Sequence, residues 1–283
     1  MLFDGTRIKR PLCVKGAVTI VTGGLLYSND VEFCLNTILQ SLHKQYQRNI
    51  NISGVNKLKL TKQTISTILR FAVFAFALWG VIEAANGEFM ARNTFLYYTT
   101  QSNIAVGLVC LAFGVLDVVS HFGNQIRIPR WLNIVKYAVT VAITLTFIVF
   151  WFMLAPIQMK DYPELITDLD SILCHGVVPI LAVADWVLNV QCYRHKKSDL
   201  WWSISTPLVY FVFVMIASLS GADFGYGLKV PYFFLDFYSY GWFNLGTFPM
   251  GVFWWIIIVL GIVLGIGAGL LKVKDAFGRV RER

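Results

Sequence analysis

Charge is what this chain has least of. Only 14% of its 283 residues are Asp, Glu, Lys or Arg, against about 25% in a soluble domain. Cysteine is scarce and scattered. The five residues Cys13, Cys34, Cys110, Cys174 and Cys192 form no C-x-x-C pair, which excludes a disulfide framework and a zinc ribbon. No metal and no cofactor are expected. A secretory pattern is missing as well: Arg7, Lys9 and Arg10 precede an apolar run broken by Lys15, Gly23 and Gly24, with no A-x-A site after it. No internal repeat is visible, so an inverted-repeat transporter is not favoured. The net charge of +8 does not suggest a nucleic-acid partner, because the basic residues cluster at the two ends and in short loops, as membrane topology requires.

Apolar residues are what is there. They make up 57% of the chain, and the mean hydropathy is +0.62. Six stretches, 65–85, 97–120, 131–156, 169–190, 202–221 and 248–271, each supply the roughly 20 residues a membrane crossing needs. The expected fold is all-α, a polytopic membrane helix bundle with six transmembrane helices. The expected divisions are an N-terminal cytoplasmic or interfacial segment (1–63), the six-helix domain (64–272) and a basic tail (273–283). Lys and Arg decide the orientation. Nine lie in the N-terminal region, and the tail carries Lys272, Lys274, Arg279, Arg281 and Arg283. The loops alternate between basic (Arg127, Arg130; Arg194, Lys196, Lys197) and poor (Arg92; Lys160 against Asp161, Glu164 and Asp168; Lys229). Both termini are therefore expected in the cytoplasm, in a multi-pass protein of the cell membrane.

Within the first segment, Val14–Tyr27 is open between strand, short helix and interfacial segment. Val31–Gln47 places Val31, Leu35, Ile38, Leu39, Leu42 and Tyr46 on one helical face behind an Asp30 cap. A helix on the membrane surface and an ordinary cytoplasmic helix both fit it. The 222–247 loop is crowded with aromatics, among them Phe224, Tyr226, Tyr232, Phe233, Phe234, Phe237, Tyr238, Tyr240, Trp242 and Phe243. It reads as an interfacial belt, or as a lid over a lipid-filled opening. In span six, Gly261-x-x-x-Gly265 and Gly269 have the spacing of close helix packing.

Span two opens Tyr97-Tyr98-Thr99-Thr100-Gln101-Ser102-Asn103 before turning apolar at Ile104. The apolar part alone is short, so the helix is expected to extend back through this polar cluster and sink it into the outer leaflet. Thr99 and Asn103, four apart, share a face. Hydroxyls and amides facing lipid would lack partners, so that face points into the bundle. Span four carries His175 one to two turns below its outer end, near the depth of Thr99. A threonine hydroxyl becomes a nucleophile when a neighbouring base takes its proton, and neutral histidine is the usual base. Asn103, Gln101, Ser102 or Thr100 would then support a developing oxyanion. Glu83, Asp168, Asp170, Asp223 and Asp236 are candidates for orienting the histidine, and the sequence does not choose. Inter-helix hydrogen bonding without chemistry explains the same residues.

A second polar set, Arg70, Asp117, Lys136 and Asp185, is expected near the inner face. Opposite charges at one depth read as ion pairs clamping the bundle, with ion or proton conduction as the sharper reading.

Tyr97-Tyr98-Thr99 with Asn103, and Leu173-Cys174-His175-Gly-Val-Val-Pro179 with Asp185-Trp186, resemble the androgen-induced protein family of six-helix membrane hydrolases, in its bacterial branch. The resemblance covers about residues 65–272. It implies hydrolysis of lipid esters, in animal members fatty acid esters of hydroxy fatty acids, with Thr99 as nucleophile and His175 as base. The Gln101-Ser102 pair departs from the animal pattern and leaves the substrate open. The reading is thus a membrane hydrolase acting on a lipid. A non-enzymatic carrier or channel, or a structural membrane protein, stands as the alternative. Oligomeric state is not specified by any of these features.

Overall fold

The computed structural model describes residues 40, 62–86, 93–122, 126–159, 166–188, 193, 195–225, 227–246 and 248–279. Val14–Tyr27 lies outside these residues, as does Val31–Gln47 apart from Gln40. The chain divides into Met1–Lys59 and Leu60–Arg283, and the apolar helices all belong to the second unit.

Six helices are long and apolar enough to cross a membrane: α1 (Lys62–Asn86), α2 (Tyr98–His121), α3 (Arg130–Gln158), α4 (Leu169–Leu188), α5 (Lys197–Leu219) and α6 (Val252–Arg279). No strand occurs among the described residues. The surface accounts for the solvent this fold needs. Ile68, Leu78, Leu108, Phe152, Ile180, Val209 and Leu219 all lie exposed along the helices, far more apolar area than a water-soluble monomer leaves uncovered.

Two helix starts differ from the hydropathy reading, each for a physical reason. The first turns of α5 form a 3-10 helix, Lys197–Ile204, whose polar opening hides it from a hydropathy scan. It is fixed by Asp199, which is buried and accepts the Lys196 N–H at 3.0 Å. The α6 helix starts at Val252 because the preceding chain doubles back. The Gly251 N–H bonds to the Asn244 carbonyl at 2.7 Å, and a side chain at Gly251 would meet the Asn244 nitrogen at 2.7 Å. At its other end α6 continues beyond residue 272 to Arg279.

The hub is α3. In its most apolar window 56% of the residues are buried, against 17% in α6. It packs on α2, α4, α5 and α6. Buried side chains surround it from Lys136 to Thr146, the pattern of a helix enclosed on all sides. Against α1, α2 and α4 it builds an apolar layer of Val73, Ala77, Val106, Cys110, Val139, Ile143, Val178 and Ala182. In sequence along each helix, this layer lies between the Thr99–His175 level and the Arg70–Asp185 level.

The packing expected of the span-six glycines needs correcting. Gly261, Gly265 and Gly269 face open space, with nothing a side chain would touch within 4 Å. Close approach occurs at Gly267 instead, where an added Cβ would crowd the Tyr137 hydroxyl and stand 2.9 Å from Ser203 Cβ. A Gly267→Val substitution is therefore expected to destabilise by about 1–3 kcal/mol through overpacking. Gly265→Ala should leave the thermal transition in detergent unchanged.

The 220–251 segment divides its aromatics between two roles. Gly221 (φ 80°), Gly225 (φ 114°) and Gly227 (φ 76°) take the left-handed turns that bring the chain back onto the bundle. Asp223 ties the turn by accepting from Gly225 N and Gly227 N at 2.8 and 3.1 Å. Phe224, Val230, Phe234 and Leu235 then bury against α3, α5 and α6. Tyr238, Trp242, Phe243 and Phe248 stay exposed. Part of the segment keeps its aromatics exposed, and part packs inward on the helices.

Candidate functional site

Thr99 and His175 meet. Thr99 Oγ1 lies 3.2 Å from His175 Nε2, with both side chains half-buried. Thr99 sits in the first turn of α2, a helix whose start carries no side-chain cap from Tyr97. His175 sits in a π-helical turn of α4, Leu173–Val177, a distortion found frequently at functional sites.

Pro179 explains much of the local geometry. It has no N–H, so the carbonyls one turn earlier lose their helical donor. Two side chains replace it. Trp151 Nε1 donates to the His175 carbonyl at 2.9 Å, and Asn103 Nδ2 donates to the Cys174 carbonyl at 3.2 Å. Trp151 itself belongs to a second π-helical turn, Phe150–Leu154 in α3. The ring of Phe150 stacks on the His175 imidazole, with centroids 3.7 Å apart and an interplanar angle of 12°. On the α1 side, α4 comes so near Gly80 that an added Cβ would stand 2.7 Å from Cys174 Sγ. His175 is therefore held from three sides.

The second ring nitrogen, Nδ1, lies 3.2 Å from the Ser171 carbonyl. A carbonyl only accepts, so Nδ1 carries the hydrogen and Nε2 presents its lone pair to the Thr99 hydroxyl. That is the tautomer a general base needs. None of the acidic candidates does this orienting. Asp223 and Asp236 cap turns, Glu83 accepts from Trp79 Nε1 at 2.8 Å, and both ring nitrogens of His175 are already engaged by Thr99 and Ser171, which leaves no place for Asp168 or Asp170.

The polar neighbours of Thr99 have other partners. Gln101 Nε2 donates to the Phe95 carbonyl at 3.0 Å. Ser102 Oγ pairs with Thr146 Oγ1 at 2.9 Å, an inter-helix link worth about 0.6 kcal/mol. Thr100 is buried on the next face of the helix, about 100° round from Thr99. Asn103 Nδ2 holds the Thr99 carbonyl at 2.8 Å as well as that of Cys174. Gln101, Ser102 and Asn103 thus support the scaffold.

Nothing in the residue pattern singles out Tyr232, one aromatic among many in its loop. Its hydroxyl accepts the Tyr98 N–H at 3.1 Å, beside Thr99 in the chain, and its ring lines the same cavity as Thr99. Burial raises the Tyr232 phenol above its ordinary range. Neighbouring Tyr97, whose hydroxyl donates to the Phe224 carbonyl at 2.7 Å, is likewise pushed up to about 12 by burial. Both phenols keep their hydrogens at neutral pH.

Thr99 also lines a cavity of ≈ 130 Å³, about ten times what one water needs. Its walls come from α3 (Thr146, Phe150, Leu154), α5 (Leu208, Phe211), α6 (Trp255, Val259) and the returning loop (Tyr232, Phe234, Leu235). They are overwhelmingly apolar. One lining residue, Leu208, is 54% exposed. Trp255 Nε1 is buried without a hydrogen-bond partner among the described residues.

The charged set is assembled as ion pairs. Asp185 receives Arg70 Nε at 3.0 Å, Lys136 Nζ and Ser66 Oγ at 2.6 Å. Asp117 receives the Arg70 guanidinium and Thr67 Oγ1 at 2.8 Å. Both cations also lie over the Phe113 ring, at 5.3 and 5.0 Å from its centroid. Two positive and two negative side chains, none more than 3% exposed, leave the cluster neutral.

A further cluster, for which the sequence carries no signal, ties α3 to the start of α5. Asp199 accepts from Arg130 Nη2 at 2.8 Å, Tyr193 Oη at 3.3 Å and His195 Nδ1 at 3.2 Å. Burial lowers His195 to about 4, Lys274 pushing the same way and Asp199 opposing. A depressed histidine is neutral in the fold but protonates near 6.5 when unfolded. Stability from this group is thus complete above pH 6.5 and is lost as pH falls from there towards 4. The melting temperature should decline over that window, and His195→Gln should flatten the decline.

No family model, no curated protein and no solved structure matches the chain.

Proposed function

We propose that this chain is an integral membrane hydrolase of lipid esters, with Thr99 as nucleophile and His175 as general base and then acid. The carrying observation is the 3.2 Å contact between the Thr99 hydroxyl and the acceptor nitrogen of His175, where Thr99 lines an apolar cavity. An acyl chain occupies the cavity, and its ester carbonyl reaches Thr99. Apolar walls suit an acyl chain and leave little to hold a polar solute. The resemblance to the androgen-induced protein family points the same way, with fatty acid esters of hydroxy fatty acids as one substrate class. The distribution of Lys and Arg supports cytoplasmic termini and a site in the outer leaflet of the cell membrane.

A carrier or channel would need a polar route from Thr99 and His175 to Asp117 and Lys136. The layer built on Val73, Val106, Ile143 and Val178, none more than 1% exposed, interrupts it. A purely structural protein has no use for a cavity ending on a hydroxyl–imidazole pair.

The test is covalent labelling of the purified full-length protein by a fluorophosphonate, with the adduct mapped by mass spectrometry, alongside hydrolysis of long-chain p-nitrophenyl esters. Label on Thr99 together with turnover supports the proposal; an unlabelled, inert wild type sinks it.

A further inference from the structure

A threonine and a histidine leave one requirement unmet. When Thr99 Oγ bonds to an ester carbonyl carbon, its proton passes to His175 Nε2 and the carbonyl π pair moves onto oxygen. That oxyanion forms in a low-dielectric cavity, where an unpaired charge is most costly. Among the polar side chains that flank Thr99 in sequence, Asn103, Gln101 and Ser102 are hydrogen-bonded elsewhere.

The Tyr232 hydroxyl is at the right place. It reaches α2 from 134 residues away to accept the Tyr98 N–H, one residue before Thr99. Accepting from the backbone uses a lone pair of the oxygen and leaves its hydrogen to be donated. The ring is held rigidly: it stacks on Phe234 at 5.1 Å and 3°, and meets the edge of Tyr97 at 6.0 Å. It forms part of the cavity wall beside Thr99. A donor fixed before the reaction costs no reorganisation when charge appears.

Resting on the hydrolase reading above, we infer that Tyr232 is the third catalytic residue, the donor that stabilises the oxyanion at Thr99. In the first tetrahedral intermediate the Tyr232 O–H points to the former carbonyl oxygen. Collapse re-forms the C=O bond and breaks the bond to the alcohol oxygen, which takes the proton from His175. Water then adds to the acyl-threonine, gives its proton to His175, and passes through a second oxyanion at the same donor. Expulsion of Thr99 Oγ, reprotonated by His175, releases the fatty acid. The returning loop is thereby part of the site and not a cover alone.

Tyr232→Phe keeps the ring and removes only the O–H. In the full-length protein in detergent, with a long-chain p-nitrophenyl ester, kcat should fall roughly 10²–10³-fold, the loss typical of one oxyanion donor. KM should stay within about threefold, because the donor acts on charge absent from the ground state. A merely structural cap on α2 would instead lower the melting temperature and leave kcat per folded molecule near that of the wild type, and that result overturns the assignment. If Tyr232→Phe does not fold, difluorotyrosine placed at 232 decides. It retains the ring and the O–H but makes the phenol more acidic. Only the neutral phenol donates, so the alkaline limb of kcat should move to lower pH; an unmoved limb overturns the inference. An inert and unlabelled wild type would defeat the hydrolase reading itself. A labelled, active wild type with a fully active Tyr232→Phe would defeat only the role of Tyr232.

Discussion

Thr99→Ala and His175→Ala should each lower ester turnover by at least about 10³-fold, and the fluorophosphonate adduct should disappear from both. Two effects compete to explain the 3.2 Å contact between these side chains, and their magnitudes separate them. As inter-helix glue, one hydrogen bond in a membrane contributes about 0.6 kcal/mol. Its loss shifts the melting temperature slightly and does nothing to chemistry. As a nucleophile and base, the pair acts as a unit, so removing either member forfeits nearly the whole covalent route. The double variant should then be scarcely worse than either single one. Thr99→Ser keeps the hydroxyl within reach of Nε2 and should retain measurable turnover. Both alanine variants should melt within a few degrees of the wild type, because Asn103 and Trp151 bond to backbone carbonyls that neither substitution removes. Wild-type turnover by a folded Thr99→Ala protein would end the hydrolase reading.

Asp185→Asn should cost about 3–5 kcal/mol, the largest stability loss expected of any substitution considered, because breaking a buried ion pair leaves its partner charged and desolvated. Here two partners are left at once, Arg70 and Lys136, with Asp117 remaining to balance only one of them. The measurement is a thermal or denaturant transition in detergent, together with the yield of folded protein. Charge balance makes a second, sharper forecast. Lys136→Met combined with Asp185→Leu removes one charge of each sign and leaves Arg70 with Asp117, so the double variant should be more stable than Asp185→Asn alone. If the cluster conducted protons or ions instead of clamping the helices, Asp185→Asn would abolish flux in proteoliposomes with little loss of stability. The apolar layer around Val73 and Ile143 argues for the clamp.

Six spans were legible in the primary structure because hydropathy is a sum over neighbours in the chain. Their ends were less so. Lys197-Ser198-Asp199 is polar enough to end a hydropathy window, yet it is helical because Asp199 satisfies the Lys196 N–H and pairs with Arg130. The Thr99–His175 pairing could be anticipated because both residues sit near the same end of their spans, where a polar group must turn inward. Membership of the charged cluster was legible for the same reason. Its wiring, with Asp185 taking two cations and Asp117 one, was not.

Other features depended on rotation about helix axes and on chain return, which no local pattern encodes. Gly261, Gly265 and Gly269 have the spacing of a packing motif, but α6 turns them outward and brings Gly267 against Tyr137 and Ser203. Five acidic residues were equal candidates for partnering His175, and a backbone carbonyl at Ser171 holds its ring instead. Tyr232 was one of ten aromatics until the glycine turns at 221–227 carried it back over α2. Composition and charge thus determined that the chain is a bundle of membrane helices with two polar levels, since burial and hydration act on each residue where it stands. Which atoms face one another within those levels was decided by packing, because a hydrogen bond depends on distances between residues that the order of the chain leaves free.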